Sequence, residues 1–285
     1  MDLPPSDKQR YFSLKKGFEG EVKFDLLTSD LEEDKCLILK NLFFDINNTQ
    51  FQIDTLIIYQ QNIIVCEIKY YQDDYSYIDG NFKKNSTGKN ITNPLHQLNR
   101  CLTLLRQLLQ QYGFTLPVEG YVFFNHPEFF LYHSPLNEPM IFPTQLDRFI
   151  NDLNEKPSNL NIRHQKLAEF LLRKNIEDPP IKKLPSYEYD QLRKGITCGT
   201  CGSLLLDIEK KEIICSECGH SESIESAVVR SIEELRLLFP ERRITANLVF
   251  DWCGLEVLNR KIRRILSSKY QITGHGMHSY YVNRS

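Results

Sequence analysis

Gln52-Ile53-Asp54, twelve intervening residues, then Glu67-Ile68-Lys69 is the stretch on which the fold turns. Thr55 to Tyr59 and Ile63 to Ile68 are mostly apolar, which reads as two strands. Alternate side chains of a strand share a face, so Glu67 and Lys69 point one way and Ile68 points into the core. A carboxylate and an amine on a buried-looking strand are costly unless they are paired or bind something. The set Asp54, Glu67 and Lys69 therefore reads as an acidic site for a divalent metal or, failing that, as a buried salt bridge.

Working outward, Cys36 to Phe44 reads as a strand preceding this pair, with a polar turn over Asp45 to Gln50. Phe51 to Tyr59 and Ile63 to Tyr71 complete an antiparallel meander. Upstream, residues 1–10 read as a disordered polar tail. A helix is expected from about Gly17 through Val22, Phe24 and Leu27. On spacing alone, Glu21 in that helix is an ordinary solvated carboxylate. Downstream, residues 72–93 are polar and carry Gly80 and Gly88, so they read as a loop. Asn93-Pro94 then opens a helix, because Asn caps well and Pro suits the first helical position. Leu95, Leu98, Leu102, Leu105 and Leu109 are its apolar stripe, Gln97 lies beside that stripe, and Gly113 ends it. Val118 to Phe124 reads as a strand, Pro139 to Phe142 as a short one, and Thr144 to Leu153 as a helix. The order helix, three strands, helix, strand makes an α/β fold, a mixed sheet with helices to cover its faces.

Residues 154–190 hold one helical piece, Ile162 to Lys174, followed by Asp178-Pro179-Pro180 through Pro185, a linker by its prolines and charges. Beyond it stand Cys198-Gly199-Thr200-Cys201 and, thirteen residues on, Cys215-Ser216-Glu217-Cys218. Two Cys-x-x-Cys pairs at this distance are a strong sign of tetrahedral zinc. Short strands over Ser203 to Ile208 and Glu212 to Ile214 would make a zinc ribbon. Four thiolates leave no open coordination position, so this metal is structural, and His220 is a bystander. Cys36, Cys66, Cys101 and Cys253 are scattered among apolar residues and read as reduced core cysteines.

From Val228 to Ser285, ten Lys and Arg stand against five Asp and Glu, a local balance of +5 in a chain of net charge −2. Arg230 to Phe239, Ala246 to Cys253 (capped by Thr245, broken at Gly254) and Glu256 to Ser268 read as three helices. Leu258, Ile262, Ile265 and Leu266 face inward, while Arg260, Lys261, Arg263 and Arg264 fall largely outside that stripe. Tyr270 to Val282 reads as a hairpin. Helix, Gly turn, basic helix and hairpin form a winged helix-turn-helix pattern, in which the basic helix enters the major groove. A solvated basic face or a protein-docking module would share the charge alone. The joint occurrence of helix, hairpin and charge favours nucleic acid.

At Gly20-Glu21, Gln52-Ile53-Asp54, Glu67-Ile68-Lys69 and Asn93-Pro94-Leu95-His96-Gln97, over roughly residues 10–150, the chain resembles the nuclease-related domain (NERD) family. That family is usually placed in the PD-(D/E)XK nuclease superfamily. The Gly80 and Gly88 stretch before Asn93 fits the same pattern. The resemblance implies a restriction-endonuclease-like mixed sheet and a Mg²⁺- or Mn²⁺-dependent nuclease. By position, Asp54 and Glu67 would hold the metal and Lys69 would be the catalytic lysine. Glu21 would be a helix carboxylate of the site and Gln97 a helix-borne amide. This overturns the solvated reading of Glu21.

The domains expected are a nuclease-like domain over 10–153, a helical extension and linker over 154–190, a zinc ribbon over 191–226 and a winged-helix-like domain over 228–285. The partner expected is DNA, with RNA not excluded. A catalytically inactive DNA-binding or regulatory relative is the alternative, and a protein-interaction scaffold a third. No apolar run approaches the roughly 20 residues that span a bilayer. The N-terminus has no secretory h-region, so a cytoplasmic location is expected.

Overall fold

The computed structural model describes residues 4–177, 185–254, 258–276 and 279–284. The chain divides into two units, Asp2–Pro185 and Ser186–Ser285.

In the first unit a meander of β1 (Leu37–Ile46), β2 (Thr49–Ile58) and β3 (Ile63–Lys69) supplies three strands of a five-stranded sheet. Its helices are α1 (Pro5–Thr28), α2 (Pro94–Gln111), α3 (Leu146–Glu155) and α4 (Ile162–Lys174). The order β1-β2-β3-β7-β9 places β7 (Val118–Phe124) parallel to β3, and β9 (Met140–Ile141) parallel to β7. Parallel pairing needs a crossover, and α2 provides the one between β3 and β7. Side chains alternate along β3. Ile63 and Val65 enter the core beneath α2 and α4, whereas Ile64, Cys66 and Ile68 enter the core beneath α1 and α3. Glu67 and Lys69 thus share the α2 side, as the period-2 argument requires.

α2 forms where expected. The Asn93 side chain accepts the Leu95 N–H, Pro94 occupies the first turn, and Leu95, Leu98, Leu102, Leu105 and Leu109 are buried. The stretch 72–93 is not the loop expected from its polarity. It forms β4 (Asp73–Ile78), β5 (Asn81–Lys84) and β6 (Asn90–Ile91), which join β8 (Phe129–Tyr132) in a second, four-stranded sheet. An Asp79-Gly80 turn with both residues at positive φ closes the β4–β5 hairpin, the geometry such a two-residue link needs. Tyr75 and Phe82 bury their rings, while Ile78, Asp79 and Asn81 between them stay exposed because the sheet is only half covered.

α1 also differs from expectation. It begins at Pro5, within the stretch read as a disordered tail, with Pro in its first turn and Asp7 near the N-terminal dipole. Residues 1–3 of that tail lie outside the described residues, as does the linker segment 178–184.

The second unit begins with β10 (Leu206–Glu209), β11 (Glu212–Cys215) and β12 (Ser221–Ser223), a three-stranded antiparallel sheet. Three helices follow, α5 (Ile224–Leu238), α6 (Ala246–Cys253) and α7 (Asn259–Lys269). α5 starts six residues before the expected Arg230, because Ser223 accepts the Ser226 N–H and caps it there. Thr245 caps α6, and Gly254 ends it in the left-handed conformation. The expected start of the third helix at Glu256 lies outside the described residues. β13 (Tyr270–Thr273) and β14 (Tyr280–Asn283) pair antiparallel; residues 277–278 of the intervening loop are likewise outside. One core joins the small sheet to the helices, with Ile213, Ile224, Ile232, Trp252, Ile262 and Leu266 all buried in it. Among the described residues, no helix is long and apolar enough to cross a membrane.

Candidate functional site

The β2–β3 ladder runs to Thr55 opposite Cys66, and one step further brings Asp54 beside Glu67. At that point the backbone pairing gives way, and the Ile68 N–H donates instead to Asp54 Oδ2 at 2.9 Å. Lys69 Nζ lies 2.6 Å from Glu67 Oε1, with both side chains more than four-fifths buried. Glu21, Asp54, Glu67, Lys69 and Gln97 all line one cleft of about 900 Å³, together with Lys16, Tyr71 and Arg100. Five residues spread over 77 positions of sequence are thereby brought to one place, from α1, β2, β3 and α2.

The electrostatics are those of a crowded acidic site. Burial, reinforced by Glu67, pushes the Asp54 carboxyl up to about 7 despite the Ile68 N–H. Burial also raises Glu21; Asp25 and Glu67 add to this and Lys69 opposes it. For Lys69, burial alone would lower the ammonium, but the field of Glu67 and Tyr71, the hydrogen bond it donates to Glu67 and the field of Asp54 together hold it above its ordinary value. Burial next to Glu67 and Asp54 likewise pushes the Cys101 thiol up to about 12, so it is an inert neighbour.

This donor set suits a hard cation. Mg²⁺ takes one or two carboxylates and fills its remaining positions with water and substrate oxygens. Asp54 and Glu67 are two such carboxylates, side by side on neighbouring strands and both lining the cleft.

Several participants escaped the sequence reading. A Cβ on Gly20 would stand 2.5 Å from Tyr70 Cβ, so only glycine lets α1 approach the end of β3 this closely. The Gly20 carbonyl accepts the Asn125 side-chain N–H at 2.7 Å, which fixes α1 one residue before Glu21. Tyr70 in turn meets Lys23 through a hydrogen bond and packs at a tilt against His126, ring centroids 4.6 Å apart. Arg100, one turn after Gln97, donates to the Gln50 carbonyl at 3.0 Å. The Gly-Glu pair hinted at the close approach; nothing local pointed to Asn125 or Arg100.

In the second unit, Cys198, Cys201, Cys215 and Cys218 bring their sulfur atoms within 4.8 Å of one another. The pairs Cys198–Cys218 and Cys201–Cys215 stand 3.6 and 3.5 Å apart. Tetrahedral zinc with bonds of about 2.3 Å puts sulfurs about 3.8 Å apart, so the cage fits the ion. Backbone N–H groups of Cys201 and Thr200 help pull the Cys198 thiol down to about 6, toward the thiolate that a metal needs. Arg260, Lys261, Arg263 and Arg264 are all exposed on α7, with Ile262, Ile265 and Leu266 buried behind them. Ile244, just before α6, makes a single antiparallel bridge to Tyr281 beside the two-stranded β13–β14 hairpin.

Residues 16–125 match the family model of the nuclease-related domain, NERD. The chain carries a nuclease-related domain. The matched span contains Glu21, Asp54, Glu67, Lys69 and Gln97, and ends at Asn125. The four-cysteine cage lies outside the NERD span and is consistent with a zinc ribbon. Among solved structures, protein VC1899 from Vibrio cholerae matches at 13% identity and a TM-score of 0.24, covering 54% of this chain and 33% of that one. The match thus spans about one third of that protein. No curated protein matches this chain.

Proposed function

We propose that this chain is a divalent-metal-dependent nuclease that hydrolyses DNA phosphodiester bonds, with the second unit holding the nucleic acid. The observation that carries this reading is the convergence of Glu21, Asp54, Glu67, Lys69 and Gln97 on one cleft inside the nuclease-related span.

Asp54 and Glu67 would hold Mg²⁺ or Mn²⁺. Bound there, the ion supplies a water of lowered pKa and polarises the phosphate. The Lys69 ammonium, kept protonated by its acidic neighbours, neutralises charge that develops on the phosphate oxygens. A protonated lysine is no general base, so proton removal falls to a carboxylate. Glu21, raised by burial, accepts a proton at near-neutral pH more readily than an exposed carboxylate. Gln97 offers an amide from the first turns of α2 to orient the attacking water or the phosphate. Lys16 and Arg100 line the same cleft and hold the flanking phosphates.

The second unit supports the DNA part of the reading. The α6 and α7 helices on either side of the Gly254 break, the β13–β14 hairpin and four exposed basic residues on α7 would fit a winged-helix reading. Zinc held by the four cysteines would fold the ribbon.

The test is incubation of purified protein with plasmid, linear and single-stranded DNA, with Mg²⁺, Mn²⁺ or EDTA. Metal-dependent cleavage lost in Asp54→Ala and Lys69→Ala is the expected result. Cleavage that survives either substitution sinks the site assignment. Binding without cleavage of any substrate leaves a non-catalytic DNA-binding protein.

A further inference from the structure

α1 is apolar on two opposite sides. Gly20, Phe24 and Thr28 are buried against the sheet. On the far side Tyr11, Leu14, Phe18 and Val22 follow one another at steps of three and four, the spacing of a single helical stripe. These four side chains are 56%, 64%, 64% and 42% exposed. Phe12 and Leu26, at 59% and 67%, widen the stripe at either end. Isolated exposed apolar residues are ordinary, but a continuous aromatic-rich stripe along a helix of about 36 Å marks an interaction surface.

The charges choose the occupant. The first half of α1, Pro5 to Lys16, carries four basic residues and one acidic. The second half, Gly17 to Thr28, carries three acidic residues and one basic. A helix whose charge reverses along its length suits an antiparallel copy of itself, basic half against acidic half. It suits an anionic membrane poorly, because Glu19, exposed beside the stripe, would be repelled.

We propose that the outer stripe of α1 is the seat of a second copy of this chain, paired antiparallel across a two-fold axis. A self-complementary patch of this kind is what an isologous dimer requires. The register that centres the stripe on itself sets Tyr11 against Val22 of the partner copy, and Leu14 against its Phe18. It also sets Lys15 beside the partner copy's Glu19, twice by symmetry. Both residues are exposed on the helix surface. This inference stands apart from the nuclease reading and does not depend on turnover.

Sedimentation velocity of the full chain over a wide micromolar range tests it. The expected result is a concentration-dependent monomer–dimer equilibrium. Phe18→Glu and Leu14→Glu should each return the protein to monomer with an unchanged circular dichroism spectrum, because neither side chain contributes to the core. Lys15→Glu should raise the dimer Kd roughly tenfold, since two attractions become two repulsions. Adding Glu19→Lys to it should restore dimerisation. A wild-type chain that stays monomeric throughout overturns the proposal and leaves the stripe to a different protein. A dimer that tolerates Phe18→Glu and Leu14→Glu overturns it as well, as does a charge exchange that fails to rescue.

Discussion

Lys69 Nζ sits 2.6 Å from Glu67 Oε1, two residues away on the same face of β3. The pair is mostly buried, and its members do not have equal freedom. The ammonium is held protonated by the acidic groups around it, so in the proposed reaction its role would be to supply charge. Lys69→Ala should therefore lower cleavage by at least ~100-fold, the scale of removing one preorganised charge-stabilising group. It also leaves Glu67 half-compensated, at a cost of about 1–3 kcal/mol in the metal-free protein. Lys69→Arg should recover part of the rate. Single-turnover cleavage and urea midpoints of the three proteins check this, and a Lys69→Ala protein of normal rate would falsify the charge role.

Asp54 makes a pH-dependent prediction. Its carboxyl lies at about 7 in the fold, against about 3.9 in an unfolded chain. The folded state therefore binds the proton more tightly. The associated stability is present below pH 4 and is lost as pH rises through 7. Asp54→Asn keeps an oxygen for the Ile68 N–H and removes the charge. In EDTA at pH 8 it should stabilise the first unit by on the order of 2 kcal/mol, with the gain fading toward pH 4. The same substitution should abolish cleavage. Thermal melts from pH 4 to 8 read the effect; a gain independent of pH would mean that Asp54 is not the titrating group.

Gly20 tests how α1 is seated. Gly20→Ala places a methyl 2.5 Å from Tyr70 Cβ, an atom fixed to the backbone that cannot swing aside. Overpacking of this kind costs about 1–3 kcal/mol. Because the shift acts one residue from Glu21, cleavage should fall further than stability accounts for at temperatures where the variant is fully folded. Activity equal to wild type at such a temperature would show that Glu21 does not depend on this contact.

How much of this was legible in the sequence varied by element, for physical reasons. β1 to β3 and α2 announce themselves through apolar runs and the Asn93-Pro94 cap, because propensity and burial agree there. The four cysteines are legible because two Cys-x-x-Cys pairs have the spacing that a tetrahedral cage requires. β4 to β6 hid behind polar composition, since a half-covered sheet buries only alternate residues such as Tyr75 and Phe82. The Asp79-Gly80 turn was the available signal. The second half of α1 was legible from Gly17 on, but its first half, Pro5 to Lys16, hid because its apolar residues do not pack on the chain's own core. Asn125 and Arg100 could not be placed at all, because their partners lie 105 and 50 residues away.

The cysteine cage predicts a metal-dependent second unit. Analysis should find about one zinc per chain, and Cys215→Ser should lose it. Cys215 is buried on β11, next to Ile213 and Ile214 of the same short strand. Loss of the ion should therefore loosen the small sheet and, through the shared core, the packing around Trp252, the only tryptophan. Tryptophan fluorescence should shift to the red on chelation. An unchanged spectrum after complete zinc removal would show that the ribbon is dispensable to that core.

The α7 surface carries the last prediction. Arg260, Lys261, Arg263 and Arg264 are exposed, but they are not equivalent. Lys261 Nζ donates to the Lys210 carbonyl at 2.9 Å, and the Arg263 guanidinium lies 5.3 Å from the Phe250 ring centre. Both are partly engaged within the unit, so Arg260 and Arg264 should carry more of the contact to phosphate. Each phosphate contact removed lowers the slope of log K against log salt by about 0.9. Arg260→Ala with Arg264→Ala should therefore flatten the slope by nearly 2 and weaken binding to all sequences alike. Lys261→Ala should do less. Fluorescence anisotropy on labelled duplexes across a salt series measures both. An unaltered slope in the double variant would move the nucleic-acid contact away from α7, and a loss confined to one sequence would make these residues readers of bases instead of phosphate.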